Sequence, residues 1–311
     1  MATLITINVT NNSPTQQNMF FFQQPSIYVG GSKVYSNSIF TSPLSPSASS
    51  GAVLTFQILL QHYAAVQQQV SPPIVGQPSG YSSAIQAIDL APADGGAPTL
   101  DTTYMTVNPL GLSPPVNSSG PQPGTFRIVT PSYDPILAKY NAGSGVRTST
   151  GGVILSNFVT AEPGKNLDCQ PILKFYVQTG TYTPGSVMNF TQSSINAALC
   201  DATSGFTTFN VTYNPNGTWS VVPYALARAA NGERVLISAV EANNATILNE
   251  AGTGSVSLGY CANFNAPEVT VQNLTNPAAV IVNHEYQVGP NGGPFVGRIC
   301  VAKNGNTAIF A

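Results

Sequence analysis

The stretch Ile5-Thr6-Ile7-Asn8-Val9-Thr10 alternates strictly between apolar and polar side chains. In a β-strand successive side chains point to opposite faces, so the three apolar residues share one face and the three polar residues share the other. This pattern is typical of a strand with one face in the core and the other toward solvent. The chain is therefore predicted to begin with a half-buried β-strand.

The same period of two recurs along the chain, and each recurrence is bounded by Gly, Pro, Asn or Ser, which favour turns. The recurrences are Phe56/Ile58/Leu60, Phe126/Ile128, Val153/Leu155, Leu173/Phe175/Val177 and Phe209/Val211/Tyr213. The pattern predicts an all-β fold, an antiparallel β-sandwich or barrel, possibly arranged as two packed β domains, with a few short helices in the connections.

Four Asn-Gly pairs follow residue 210, and this pair tolerates the positive φ angles of a tight hairpin turn. They are Asn216-Gly217, Asn231-Gly232, Asn291-Gly292 and Asn304-Gly305. Tyr213 to Trp219 and Val301 to Ile309 are accordingly predicted to be hairpins. Pro223 to Ala230 is compatible with either a strand or a short helix. Short connecting helices are predicted at Ser83 to Leu90, Asp134 to Tyr140 and Ser193 to Cys200.

The segment Gly111 to Gly124 is rich in Pro and Gly and carries neither the helical nor the strand period. It is the best candidate for a linker or long loop. The predicted organisation is therefore an N-terminal β domain over residues 1–110, a linker over 111–124 and a C-terminal antiparallel domain over 125–311. A second Pro-rich stretch, Val70 to Pro78, is interpreted as a loop.

Charged residues make up only 7% of the chain, and the formal net charge is −2. An average soluble protein carries about 25% charged residues. A chain without a basic surface is not expected to bind nucleic acid. Because weak self-repulsion favours association, a homo-oligomer or larger assembly is expected. A glycan or a membrane surface is a further candidate partner.

The N-terminus lacks the basic region and the continuous apolar run of a secretory signal, and no apolar run reaches the length of a membrane-spanning helix. We therefore expect a cytoplasmic protein or one exported by a non-classical route. The four cysteines have no zinc-binding spacing. They are Cys169, Cys200, Cys261 and Cys300. Two disulfides and four buried free thiols both remain open for them.

No catalytic constellation is found, and neither a cofactor nor a metal is predicted. The two histidines, His62 and His284, are far apart in sequence and belong to no zinc motif. His62 shares the alternating register of its neighbours and is interpreted as a core or interface residue. No Gly-x-Ser-x-Gly elbow and no phosphate-binding glycine loop occurs.

Twelve carboxylates are available, and a glycoside hydrolase needs only two. Candidates close in sequence are Asp89, Asp94 and Asp101, and also Glu162 and Asp168. The favoured interpretation is that they cap turns, since Asp readily accepts hydrogen bonds from nearby backbone. A calcium site built from the three loop aspartates is the alternative.

Met19-Phe20-Phe21-Phe22 cannot place every ring on one side of a strand, so both faces need cover. Burial within a sandwich is the simpler interpretation, and an oligomer contact or membrane-facing patch is the alternative. The terminal strands, Leu4 to Val9 and Thr307 to Phe310, would be able to pair with a neighbouring subunit if they form sheet edges. The candidate interface residues are therefore Phe20, Phe21, Phe22, Ile309 and Phe310.

Three classes of function follow. The first is a non-enzymatic recognition protein, lectin-like or toxin-like, because uncharged polar side chains suit hydrogen bonding to sugars. The second is a structural, self-assembling subunit of a fibre, coat or lattice. The third is a carboxylate-dependent glycoside hydrolase.

Overall fold

The computed structural model describes residues 4–31, 33–70, 72–148, 151–228, 234–238, 244–261, 268–272, 274–290 and 294–311. Within these ranges the regular secondary structure is almost entirely β-strand, with two α-helices of four and five residues and one short 3₁₀ helix. The chain divides into two compact units, Met1–Val221 and Val222–Ala311. Residues 111–124 lie within the first unit, so this division and the boundary predicted from sequence do not coincide.

The first unit contains eighteen strands and both α-helices. The strands are β1 (Leu4–Asn11), β2 (Gln17–Gln23), β3 (Ile27–Val29), β4 (Tyr35–Asn37), β5 (Phe40–Leu44), β6 (Val53–Leu59), β7 (Tyr63–Gln69), β8 (Gly80–Ala87), β9 (Thr102–Val107), β10 (Leu110–Leu112), β11 (Phe126–Val129), β12 (Tyr140–Arg147), β13 (Val153–Thr160), β14 (Asn166–Gln170), β15 (Lys174–Thr179), β16 (Val187–Met188), β17 (Ala198–Asp201) and β18 (Thr208–Tyr213). The helices are α1 (Ser47–Ser50) and α2 (Phe190–Ser194).

These strands form two layered pairs of sheets. In the first pair, β1 lies between β18 and β6 and faces the sheet β17-β15-β2-β5. In the second pair, the sheet β16-β4-β13-β12-β7-β8 faces the sheet β10-β9-β11-β14-β3. Of the described pairings, β1 with β18 and β9 with β11 are parallel, and the others are antiparallel. The predicted all-β, mainly antiparallel sandwich architecture is confirmed.

The strand that opens the chain has the predicted alternation. Ile5, Ile7 and Val9 are buried, whereas Thr6 and Thr10 on the opposite face are only half-buried. The buried face belongs to a core that joins the two sheets. Phe21 of the facing sheet lies 4.6 Å from Phe56 of β6 and 5.7 Å from Phe40 of β5, centroid to centroid, and Trp219 packs at the margin. Cores of this kind draw their stability chiefly from burial of apolar surface.

The strand β19 (Trp219–Arg228) crosses the division between the units and pairs with β20 (Arg234–Ser238). The second unit has a sheet in the order β22-β21-β24-β25-β26-β23. Its strands are β21 (Asn244–Leu248), β22 (Ser255–Tyr260), β23 (Val269–Val271), β24 (Glu285–Pro290), β25 (Val296–Asn304) and β26 (Thr307–Phe310), with a 3₁₀ helix at Pro277–Ala279. One face of this sheet buries a cluster that includes Ile247, Val288 and Phe310.

The turn predictions hold where the structure describes them. Gly217 and Gly305 both have positive φ, and the reversal at Asn214 is closed by its amide donating to the Thr218 carbonyl. The pairs Asn231-Gly232 and Asn291-Gly292 lie outside the described residues.

The helix predictions were less successful. Residues 80–87 form β8, because pairing along the whole of β7 overrides the helical preference of this short segment. Asp134 to Tyr140 forms one turn that gives way to β12 at Tyr140, so the helix predicted there is wrong. In the third segment the helix α2 ends at Ser194, and residues 198–201 are a strand. Residues 223–228 are in β19, and residues 229 and 230 lie outside the described ranges.

Both terminal strands lie inside their sheets. β1 pairs with β18 on one side and β6 on the other, and β26 lies between β25 and β23. The sequence suggested that these terminal strands pair with a neighbouring subunit as sheet edges. Neither strand is a sheet edge, so neither is available for that pairing. No helix in the described part of the chain has the length and apolarity to cross a bilayer.

Replacing Phe21 with Ala should lower the free energy of unfolding of the first unit by about 3–5 kcal/mol, because the ring is fully buried among other rings and its loss leaves a cavity. Chemical denaturation followed by the fluorescence of Trp219, which packs on this cluster, measures the change. The exposed Ile195→Ala is the control and should change stability by less than about 0.5 kcal/mol. Equal effects of the two substitutions would contradict the assigned core.

Candidate functional site

A surface groove in the first unit consists of two adjoining cavities of about 320 Å³ and 210 Å³ that share Tyr35 and Pro73. We call it the tyrosine groove. The other lining residues of the larger cavity are Pro25, Lys33, Val34, Ser36, Val75, Val187, Met188, Asn189, Phe190 and Thr191. Those of the smaller are Gln69, Pro72, Tyr133, Pro135, Lys139, Thr160 and Ala161. Cavities of this size are suited to small ligands or to single residues of larger ones.

The centre of the groove is fixed by β4. Tyr35 pairs with Phe158 of β13, and the two rings stack with centroids 5.5 Å apart. Ser36 pairs with Met188 of β16, which anchors the adjacent wall. The ammonium group of Lys33 lies 5.0 Å from the Tyr35 ring centroid, within the range of a cation–π contact. An aromatic surface with a cation beside it is therefore held in place by a sheet.

Tyr133 forms part of the smaller cavity. Its hydroxyl donates to the Ala161 carbonyl at 2.7 Å, and its ring meets Tyr140 edge-on at 5.1 Å between centroids. Burial raises the pKa of Tyr133 to about 12, and the neighbouring Tyr140 and Glu162 act in the same direction. The phenol therefore stays protonated at neutral pH and serves as an uncharged surface.

A network of buried amides reaches the groove at Gln69. The Gln69 side chain donates to the Asn141 carboxamide oxygen at 3.0 Å, and Asn141 in turn donates to the Ser79 carbonyl and to Gln67. Ser79 donates to Gln67 at 2.8 Å. Buried amides with satisfied partners hold one geometry, because each lost partner would leave a costly unpaired group. The polar edge of the groove is thus preorganised.

Among the described residues, two cations and no acidic side chain line the tyrosine groove. Lys33 and Lys139 are exposed there, and every other lining residue is uncharged and is neither His nor Cys. Hydrolysis of a glycosidic bond needs a pair of carboxylates, and general base catalysis commonly uses histidine. The described lining of this groove therefore offers aromatic surfaces and hydrogen-bonding groups, and it lacks the pair of carboxylates that glycosidic hydrolysis needs.

Three of the five carboxylates singled out from sequence, Asp89, Asp101 and Asp168, have hydrogen-bond or ion-pair partners. Asp168 forms an ion pair with Arg127 at 2.6 Å, Asp101 accepts from the Thr102 hydroxyl and the Ser118 amide, and Asp89 accepts from the Leu100 amide. Asp94 lies in a turn and, with Asp101, lines a separate cavity of about 270 Å³. Within the described residues no three His, Cys, Asp or Glu side chains are grouped so as to hold a metal ion. The hydrogen bonds that Asp89 and Asp101 accept from backbone amides agree with the turn-capping interpretation, whereas Asp168 lies within β14 and pairs with Arg127 instead.

The structure places the candidate interface residues mainly in cores. Phe20, Phe21, Phe22 and Phe310 are fully buried, and Ile309 is half-buried. Phe21 faces the core under β1, whereas Phe20 and Phe22 face the opposite side of their sheet. The chain itself covers both faces of the Phe20–Phe22 run, as the simpler interpretation had it.

All four cysteines are buried, and none of them forms a disulfide with another. Burial raises the pKa of Cys169 to about 12 and that of Cys200 further still. Such thiols are poor nucleophiles at neutral pH and pack as small apolar residues.

Sequence reasoning did not single out Lys33, Tyr35, Gln69, Tyr133 or Lys139. They come from separate segments that only the sheet pairings bring together. The one local signal was the Pro-rich stretch Val70 to Pro78, interpreted correctly as a loop, of which Pro72 and Pro73 line the groove.

The chain has no significant match to models of known protein families, to curated protein sequences or to solved structures.

His62 gives the first unit a pH-dependent stability. Burial lowers its pKa, and the nearby Asp89 offsets this only in part. Because the unfolded chain binds a proton at a higher pH than the folded chain does, this contribution to stability is present above the usual histidine pKa and is lost as the pH falls below it.

The free energy of unfolding should therefore fall between about pH 7.5 and about pH 5.5, and this fall should be smaller in His62→Gln. Denaturation followed by Trp219 fluorescence at a series of pH values measures the difference. Parallel pH profiles of the two proteins would show that His62 does not cause the dependence.

Proposed function

We propose that this protein is a non-enzymatic recognition protein that binds glycans in the tyrosine groove. The proposal is carried by the composition of the groove, in which tyrosine rings, amides and hydroxyls occur together with two lysines and without a carboxylate. Sugar rings present apolar C–H faces that pack on aromatic surfaces, and their hydroxyls pair with amides and ammonium groups. The groove has tyrosine rings for the apolar faces of a sugar, and amides and lysines for its hydroxyls.

The charges of the groove favour particular glycans. Lys33 and Lys139 both line it, in a chain with only ten Lys and Arg residues. Neither lysine belongs to an ion pair within the described residues. A carboxylate-bearing sugar would accept charge-assisted hydrogen bonds from these ammonium groups. We therefore expect acidic glycans to bind more tightly than neutral glycans of the same size.

The other two classes have weaker support. Self-assembly through the terminal strands loses its rationale, because β1 and β26 are paired on both sides. A hydrolase would need two carboxylates facing one cavity. Asp94 and Asp101 line the cavity of about 270 Å³, but the Asp101 carboxylate there accepts hydrogen bonds from Thr102 and Ser118.

A printed array of neutral and acidic glycans tests the proposal, with affinities then measured for free oligosaccharides by calorimetry. Tyr35→Ala should weaken binding by at least about tenfold, because truncating a central aromatic contact commonly costs more than about 1.4 kcal/mol. Lys33→Ala should weaken the binding of acidic glycans more than that of neutral ones.

Tyr104→Ala is the matched control, since this tyrosine is 49% exposed on β9 and lines no part of the groove. It should leave binding unchanged. Should Tyr35→Ala fail to fold, Lys33→Ala takes its place, since Lys33 is exposed. The absence of any bound glycan, or equal effects of the groove and control substitutions, would refute the proposal.

A further inference from the structure

Two apolar side chains project from the surface beside the tyrosine groove. Ile136 is 88% exposed and Leu137 is 84% exposed. Both lie in the turn at residues 135–137, between Tyr133 and the start of β12. We call this pair the apolar tip. Folded proteins seldom leave two adjacent large aliphatic residues so fully in water unless a partner covers them.

The apolar tip is held by its own backbone. The Asp134 carboxylate accepts a hydrogen bond from the Ile136 amide at 2.8 Å, and the Asp134 carbonyl accepts one from the Ala138 amide at 3.1 Å. The next residue is tied to β7, since the Lys139 carbonyl accepts from the Gln69 amide at 2.9 Å. The exposure of these side chains is thus a property of an ordered turn, and little conformational entropy would be lost when the tip is buried.

The surroundings of the apolar tip have the composition of a membrane-interface contact. The tip forms one wall of a cavity of about 320 Å³ that is also lined by Val70, Tyr81 and Lys139. Tyr81 is 51% exposed and Val70 is exposed as well. Tyrosines are enriched at the level of lipid headgroups, and lysines keep their ammonium group in water while their stem lies against apolar material.

This cavity adjoins the tyrosine groove. Gln69, Pro72 and Lys139 line both it and the smaller groove cavity. A surface that covered the apolar tip would therefore lie directly against the groove. If the groove holds a sugar, that sugar would have to come from the same surface.

The projecting shape of the apolar tip limits which partners are able to cover it. A protein partner would need a pocket matched to two adjacent aliphatic side chains, whereas the fluid acyl boundary of a bilayer accommodates them without such a match. Charge does not oppose this contact, because Asp134 and Lys139 beside the tip have opposite signs.

We infer that the apolar tip inserts into the outer layer of a membrane, so that the tyrosine groove binds the headgroups of glycolipids in that membrane. This inference rests on the proposed glycan binding and specifies where the glycan is carried. Insertion of the tip and binding of the sugar then act as two linked contacts, so the protein should bind a glycolipid in a bilayer more tightly than the same sugar in solution.

Flotation with phosphatidylcholine vesicles, with and without a ganglioside mixture, tests the inference. The double substitution Ile136→Ser/Leu137→Ser should lower binding to ganglioside vesicles by at least about tenfold, since two aliphatic side chains no longer leave water. The affinity of this variant for the free ganglioside oligosaccharide should stay within about twofold of that of the unmodified protein, because the tip does not contact a sugar bound in the groove. The ratio of parent to variant binding should not change at high salt, because the contact removed is uncharged.

Leu100→Ser/Val116→Ser is the matched control, as it removes two exposed aliphatic residues that line neither the groove nor the cavity at the tip. It should leave vesicle binding unchanged. Full vesicle binding by the tip variant, or an equal loss in the control, would overturn the membrane inference and leave glycan binding standing. Failure of the unmodified protein to bind the free oligosaccharides of any acidic or neutral glycan tested would refute the proposed function instead.

Discussion

The architecture of the first unit depends on the need to cover three consecutive phenylalanines on both faces of one strand. Phe21 lies in the core beneath β1, and Phe20 and Phe22 lie on the other side of β2. Because side chains alternate along a strand, a single facing sheet can bury only one of these sets. The second set is covered by Met188 and Phe190, which come from β16 and α2. These same two residues form a wall of the tyrosine groove, so the groove is a consequence of how the chain buries β2.

The scarcity of charge determines how the interior is held together. Four buried amide side chains lie on strands of one sheet: Asn37, Gln67, Gln69 and Asn141. Asn141 bonds to both glutamines, and the set also bonds to Ser79 and to backbone carbonyls. Neutral hydrogen bonds of this kind avoid the large desolvation cost of buried ions. They also give direction to the side chains that they join. At Gln69 the network ends in the groove, so the same bonds that order the interior also fix a polar side chain in the groove lining.

The strands were predictable from sequence because their signal is local. The alternation from Ile5 to Thr10 reports directly which face is buried, and the Asn-Gly pairs at 216 and 304 report where the chain turns. The helix prediction at Asp134 failed for an instructive reason. Asp134 accepts the Ile136 amide much as a helix cap does, yet only one turn forms, because Tyr140 pairs with Gln68 and continues as a strand. Long-range pairing overrode a correct local signal.

The groove was not predictable, since Tyr35, Gln69 and Tyr133 meet only through the register of sheets formed by distant segments.

The same failed helix explains the apolar tip. In a longer amphipathic helix, Ile136 and Leu137 would have had three or four further residues on which to pack. With only one turn, the residues on either side are fixed by Tyr133 packing on Tyr140 and by Lys139 bonding to β7. No described residue of the first unit covers the two aliphatic side chains between them. Their exposure therefore follows from the strand pairing that also builds the groove. A chain with so few charges has little long-range attraction to draw a ligand in. Under the proposed function, recognition would then depend on contacts made at close range by groups already in place, and the ordered tip and groove provide such groups side by side.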